Sequence, residues 1–294
     1  MELRVLRYFL TVAREQNITR AAEVLHITQP TLSRQLKQLE EELETTLFVR
    51  GKSKVTLTEG GVLLRRRAED LIELADKTEK EFLTHDEFMA GDLFIGAGET
   101  KSMHILAKAI SQLHDQYPQI HYHVHSGNAD DIKEKIDNGL LDIGLLTEPV
   151  DIEKYDFIRL NEKETWGLLM RKDHPLAKLE SITPYDLRNV QLWISRRCIV
   201  QNEITHWMSE KNEKLNILGT YNLIQNAAVM VEEGIGCAIC LERLTYAYNH
   251  HSLCFRPFSP LLQTGTVIVW KKHQVFSQVT LKFLEMIRKN LKET

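Results

Sequence analysis

Eight residues within eleven positions, Thr28, Gln29, Pro30, Thr31, Ser33, Arg34, Lys37 and Gln38, carry the densest set of hydrogen-bonding groups early in the chain. At 100° per residue, Leu32, Leu36, Leu39 and Leu43 fall in one narrow stripe, and Pro30, Arg34 and Lys37 stand opposite it. Thr31, Ser33 and Gln38 flank that outer face. A guanidinium can reach guanine edges or phosphate, hydroxyls and amides can bond to either, and a lysine can neutralise phosphate. Arg50, Lys52 and Lys54 form a second cationic group around Gly51. The chemistry on offer is therefore recognition of a polyanion. The ordinary alternative is a helix whose polar face is merely solvated.

Other reactive side chains are sparser. His121, His123 and His125 alternate, so on a strand they share one face and could clasp a metal. Strand positions two apart converge poorly on one ion, so a polar strand face is the commoner outcome and no metal is expected. Cys198 follows Arg196 and Arg197, which could depress a thiol pKa and leave a reactive thiolate. Its nearest cysteine in sequence is Cys237, so no local resolving partner is at hand, and a packed thiol is the simpler reading. Cys237-x-x-Cys240 lacks a second pair at zinc-ribbon spacing. No Gly-rich phosphate loop, nucleophile elbow or catalytic His/Cys/Asp spacing is present. An enzyme or metabolite-binding protein with an adventitious helical head is the rival reading; neither catalytic residues nor a cofactor are expected.

The elements that must position these groups follow from periodicity. Leu3, Leu6, Phe9, Leu10 and Ala13 make a first amphipathic helix. Thr19 is the expected cap of a short second helix, Arg20 to Leu25, and His26 to Thr28 make the turn. Thr28 or Gln29 can cap the third helix, with Pro30 in its first turn, where a missing N–H costs nothing. Residues 47 to 61 read as a small β-wing with a basic tip at Gly51. From Glu59 to about Met89, Leu64, Ala68, Leu71, Ala75, Thr78 and Phe82 alternate at four and three, an a/d seam for a pairing helix. Beyond Gly91, short apolar strands alternate with helices, which argues for a parallel sheet with right-handed crossovers; a second such set is expected from about Glu164.

A chain of 294 residues suggests two or three domains. No apolar run approaches the ~18 residues of a membrane span, and the amphipathic start does not read as a signal peptide. The cytoplasm is the expected location. The net charge of −4 hides an asymmetry: residues 1 to 67 carry twelve Lys and Arg against eight Asp and Glu, the remainder 25 against 33. A basic head on an acidic body places the anionic partner at the head.

The stretch FLTVAREQNITRAAEVLHITQPTLSRQLKQLEEELETTLFVR through VTLTEGG resembles, almost position by position, the N-terminal winged helix-turn-helix of LysR-type transcriptional regulators. Ala21-Ala22, Leu25, Gln29-Pro30, Ser33, Leu39-Glu40, Leu47-Phe48, Arg50, Leu57-Thr58 and Gly61 carry the match. The resemblance implies a mainly α winged helix-turn-helix over 1–58, a dimerising linker helix over 59–89, and an α/β effector-binding domain over 91–294 like a type II periplasmic binding protein. Its two subdomains would comprise 91–161 with 266–294, and 162–265. It further implies double-stranded DNA, further copies of the chain in a homodimer or homotetramer, and RNA polymerase as partners, with no membrane role and a small-molecule effector between the subdomains. Because Cys198 lies close to where peroxide-sensing members of the family carry their reactive cysteine, it also implies redox sensing as an alternative.

Ligands of open α/β sheets bind beyond the carboxyl ends of strands. Those places hold Thr100, Lys101, Ser102, Ser126, Asn128, Thr147, Ser195, Arg196 and Asn222. Thr100 and Asn128 match positions where the family puts hydroxyl or amide ligands, although Thr100 or Ser102 could equally be an N-cap and Asn128 a turn residue. Lys101, Arg196 and Arg197 would favour an anionic effector.

Overall fold

The computed structural model describes residues 1–51, 54–83, 89–208, 215–242 and 252–292, and divides into two compact units, Met1–Thr84 and His85–Thr294.

The first unit opens with α1 (Leu3–Glu15), α2 (Ile18–Val24) and α3 (Gln29–Glu42). Asn17, not Thr19, caps α2: its Oδ1 accepts the Arg20 N–H at 3.1 Å. Asn and Asp are stronger caps than Thr, and the helix starts at Ile18, two residues before the expected Arg20. The turn before α3 passes through His26 at φ +54°. Thr28 then caps α3 and Pro30 sits in its first turn. Leu32, Leu36 and Leu39 are buried with Leu6, Phe9, Val12 and Leu47. Leu43 leaves the stripe, because it is the C-cap and lies at the surface.

Strands β1 (Phe48–Arg50) and β2 (Val55–Leu57) pair antiparallel, with Arg50 opposite Val55. The Gly51 N–H donates to the Lys54 carbonyl at 2.9 Å to close the turn. Helix α4 (Glu59–Leu83) follows, its first turn accepted by Thr58 Oγ1 from the Gly61 N–H at 3.0 Å. A Cβ on Gly61 would collide with the Leu47 carbonyl, so only glycine lets the helix start against the wing. The expected pairing seam is partly used up inside this unit. Leu64, Ala68 and Ile72 pack on the head's own core, while Val62, Leu63 and Leu71 remain exposed. Phe82's side chain lies outside the described atoms.

The second unit is one nine-stranded sheet with helices on both faces, in the order β4-β3-β5-β11-β6-β9-β7-β8 with β10 beside β6. Its first half holds β3 (Gly91–Ala97), α5 (Met103–Gln116), β4 (Ile120–Ser126), α6 (Ala129–Asp137) and β5 (Ile143–Thr147). The other half holds β7 (Gln191–Ser195), α7 (Cys198–Met208), β8 (Asn216–Tyr221), α8 (Ile224–Glu232), β9 (Cys237–Leu241) and β10 (Leu253–Pro257). Strands β6 (Tyr155–Arg171) and β11 (Gln263–Lys271) join them, and α9 (Gln278–Lys292) returns to pack beside α5 on the first half.

The parallel sheet expected from the strand-helix alternation holds only within each half, where β3 pairs β4 and β5, and β7 pairs β8 and β9. Between them, β6 and β11 run antiparallel to their neighbours. β6 starts nine residues before Glu164, and its polar Asn161-Glu162-Lys163 segment hides it from a hydrophobicity reading. That segment is exposed because it spans the two halves rather than a core. Each half has its own packing: Leu93, Leu106, Leu113, Ile268 and Phe283 in one, Leu168, Ile194, Ile204, Trp207 and Phe258 in the other.

Candidate functional site

Two arrangements stand out, one in each unit. On the first, Thr28, Gln29, Pro30, Thr31, Arg34, Lys37 and Gln38 are all exposed and Ser33 is half-buried. Their mutual bonds prearrange the surface. Thr28 Oγ1 and Thr31 Oγ1 share a hydrogen bond at 2.8 Å, and Gln29 Nε2 donates to Ser33 Oγ at 2.9 Å. Lys37 leans toward Glu41 at 3.4 Å, a surface pair of the kind that yields easily to a stronger anion. Arg34 makes no hydrogen bond or ion pair with a described residue, so its fork of five donors faces outward.

The first acid along α3 is committed elsewhere. Glu40 Oε1 accepts the Leu47 N–H at 2.7 Å and the Phe48 N–H at 3.2 Å, tying the end of α3 to the start of the wing. Glu40 carries part of the family resemblance, but nothing in its own spacing indicates this buckle, because the two amides lie seven and eight residues on. Lys54 is exposed at the wing. Lys52 and the side chain of Arg50 lie outside the described residues.

The second arrangement lies where the strands of the two halves end. Gly98 N–H donates to the Leu145 carbonyl at 3.1 Å and Gly127 N–H to the Ala97 carbonyl at 3.2 Å, which gathers the ends of β3, β4 and β5. From the other half, Arg196 N–H donates to the Tyr221 carbonyl at 2.9 Å. A cleft of about 90 Å³ lies between, lined among others by Glu99, Asn128, Thr147, Trp166, Ser195, Arg197, Tyr221 and Asn222.

Of the residues singled out from sequence, Asn128, Thr147, Ser195 and Asn222 meet in this cleft. Asn128 is also a cap, its Oδ1 accepting the Asp130 and Asp131 N–H groups at 2.9 and 3.1 Å. Thr100 lies beside Glu99, its hydroxyl buried without a partner among the described residues. Ser126 and Lys101 are exposed and do not line the cleft. Ser102 is fully buried and bonded to Glu164 and Thr266. It is a packing residue because α5 begins inside the sheet's cover, not at its rim.

The arginine that faces the cleft is Arg197, not Arg196. Arg196 is exposed and pairs with Asp131 at 3.0 Å. Arg197 is buried, donating from Nη2 to the Pro149 carbonyl at 3.0 Å and lying 3.4 Å from Asp130. Neighbouring residues at a helix start diverge by about 100°, and which one turns inward depends on where β7 ends.

Glu99 opens the strand-end stretch Glu99 to Ser102 where a ligand is expected, and its chemistry shows only in the fold, which sets it in the cleft wall. Burial pushes its carboxyl above the ordinary value, and the Ile224 N–H, which it accepts from across the cleft, pulls it partly back. A carboxyl raised in the folded state stabilises the fold fully below its unfolded pKa and loses that contribution as pH rises through the folded one. Glu99→Gln is therefore expected to melt on the order of 2–4 °C above the parent at pH 8 and level with it near pH 4, read by thermal melts of both proteins across pH.

Among the described residues no group of three or more His, Cys, Asp and Glu is arranged for a metal ion. His123 instead bonds to Asp92 at 2.7 Å and stacks on Phe94. Cys237 and Cys240 are buried, and burial pushes both thiols up to about 12, which keeps them protonated. Cys198 opens α7; its side chain lies outside the described atoms.

Comparison with known proteins decides what kind of molecule carries these two sites. A family model described as "Bacterial regulatory helix-turn-helix protein, lysR family" matches residues 3–62, and one described as "LysR substrate binding domain" matches residues 87–292. The chain belongs to the LysR family of DNA-binding transcriptional regulators. This LysR-type regulator is 29% identical over 283 residues to the Hca operon transcriptional activator HcaR of Escherichia coli (strain K12), covering 94% of this chain and 93% of that one. It is 29% identical over 237 residues to the HTH-type transcriptional regulator CysL of Bacillus subtilis (strain 168), covering 80% and 79%. Among solved structures, the LysR family transcriptional regulator CbnR superposes with a TM-score of 0.76 at 18% identity over 99% of both chains. CbnR complexed with its target DNA superposes at 0.74 and 19% identity, which likewise speaks to the fold. No helix among the described residues is long and apolar enough to cross a membrane.

Proposed function

We propose that this LysR-type regulator sets α3 into the major groove of double-stranded DNA and controls transcription in response to a small molecule held in the cleft. The observation that carries the DNA reading is the outward face of α3, with Arg34 unpaired among the described residues and Thr31 and Ser33 beside it. In this reading Arg34 reads bases, the hydroxyls and Gln29 fix the register on phosphates, and Lys54 neutralises the backbone beside the groove, with Arg50 and Lys52 adding charge at the wing. Val62, Leu63 and Leu71, exposed on α4, support pairing with a second copy, and a two-fold dimer needs half-sites in register with the ~10.5 bp turn.

In the cleft, Arg197, Asn222, Ser195 and Thr147 would meet the effector, Thr100 beside it would offer a hydroxyl that has no partner among the described residues, and Asn128 would hold α6 in place. Arg196 and Arg197 join the two halves through Asp131, Asp130 and the Pro149 carbonyl, so a ligand that changes these contacts shifts the balance between open and closed forms. The regulator works without catalysis, in the cytoplasm, and communicates with RNA polymerase through the bent promoter.

Arg34→Ala tests the reading directly. It is expected to weaken specific binding to the promoter beside its own coding region by roughly 1–3 kcal/mol while barely changing non-specific binding. Lys54→Ala should weaken all sequences alike and reduce the salt slope by about 1. Fluorescence anisotropy at two salt concentrations measures both; isotherms identical to the parent would refute the placement of α3.

A further inference from the structure

Behind the cleft lies a second, larger cavity of about 300 Å³, between α7 and the sheet of the second half. Its walls are Ile194, Val200, Ile204, Met208, Ile217 and Ile239, all apolar. Two of the polar groups at its edge are spent internally: Gln201 Nε2 donates to the Ser195 carbonyl at 2.8 Å, and Thr205 Oγ1 to the Gln201 carbonyl at 2.8 Å. Trp166, Ser195 and Val200 line both the chamber and the cleft. Trp166 is only 5% exposed, and its Nε1–H has no partner among the described residues.

These facts constrain a ligand jointly. The cleft alone, at about 90 Å³, falls well short of the roughly 300–1,000 Å³ of small-molecule sites. With the chamber the space enters that range. An indole N–H only donates, so what meets it must be an acceptor. A buried donor left unmet is unfavourable, and walls made mostly of apolar side chains favour an apolar guest over water.

We propose that the effector is amphipathic, with an acceptor-bearing head, a carboxylate or carbonyl, bonded to Trp166 Nε1–H in the cleft and an aromatic or branched apolar body filling the chamber behind α7. This rests on the reading that the cleft is the effector site. It adds the class of ligand and the means of discrimination: the head is recognised by Trp166 and Asn222, the body by the volume bounded by Val200, Ile204 and Ile239. Small hydrophilic acids lack the body and bind weakly.

Calorimetric titration of the full chain with 2-naphthoate, which has head and body, and with acetate, which has the head alone, tests the assignment. Naphthoate is expected to bind at least 100-fold more tightly than acetate. Ile204→Trp, which fills the chamber, should weaken naphthoate 10-fold or more and leave acetate unchanged. Thr205→Phe narrows the same chamber from an exposed position and serves if Ile204→Trp does not fold. Trp166→Phe should cost naphthoate about 10-fold, and Asn222→Asp, which sets a like charge by the head, should weaken both acids. Naphthoate that binds no more tightly than acetate, or that ignores the chamber variants, overturns the proposal; if Asn222→Asp still weakens both acids, the cleft reading stands. Naphthoate that responds to the chamber variants but to neither Trp166→Phe nor Asn222→Asp sinks the shared site and the cleft reading together.

Discussion

Leu36→Ala is expected to cost the DNA-binding unit ~2–5 kcal/mol and to abolish specific DNA binding at 37 °C, without touching a residue that faces DNA. Leu36 is 1% exposed and packs under α3 with Leu32, Leu39, Phe9 and Leu47. Removing three buried carbons forfeits transfer energy and leaves a cavity that helices pinned by Pro30 and the wing fill poorly. A core in a unit of this size supplies only about 3–5 kcal/mol in total, so the loss consumes most of it. Hydrogen exchange of the α1–α3 amides in the full chain reads the effect, with the β3 and β7 amides as internal control. Protection of α3 equal to the parent would show that the stripe does not hold the helix down.

Glu40→Ala is the second large effect. One carboxylate oxygen serves the Leu47 and Phe48 amides, and its removal leaves two part-buried donors without an acceptor. Each unmet donor costs about 1–3 kcal/mol. The wing should lose its fixed angle to α3, so DNA affinity falls even though the net positive charge of the head rises. Glu40→Gln keeps an acceptor oxygen and should recover much of the loss, which separates the hydrogen-bonding role from charge. Binding assays and exchange at Leu47 and Phe48 decide it; an alanine variant that binds DNA more tightly, through reduced repulsion alone, would overturn the buckle.

Much of this was legible in the chain itself, for reasons of scale. The stripe Leu32, Leu36, Leu39, the turn around His26, the Thr28 cap with Pro30 and the Gly51 turn all depend on neighbours within four residues, where helical and strand geometry links residue order directly to position. The polar face of α3 follows from the same angle. What failed locally had a local reason: Asn17 outcompetes Thr19 as a cap, and Leu43 is spent on ending the helix.

The cleft depended on longer distances. Thr147, Ser195 and Asn222 were identifiable as strand ends, but which of Arg196 and Arg197 turns inward is settled by the phase at which β7 hands over to α7. Ser102 is drawn into the core by Glu164 and Thr266, residues 62 and 164 positions away. Glu99 gains its importance from an amide across the cleft, and Trp166 from two cavities that no single segment encloses. The polar middle of β6 concealed a strand because its exposure comes from bridging two halves.

Sequence by itself therefore determined the elements of the head, the polarity of its outer face and the family to which the chain belongs, since these rest on short-range periodicity and on one long run of matched positions. Tertiary structure alone decided which acid buckles the wing, which arginine faces the cleft, and that an apolar chamber opens behind it. Those outcomes depend on groups distant in sequence meeting in space, and burial, which shifts a pKa or strands a donor, exists only once they have met.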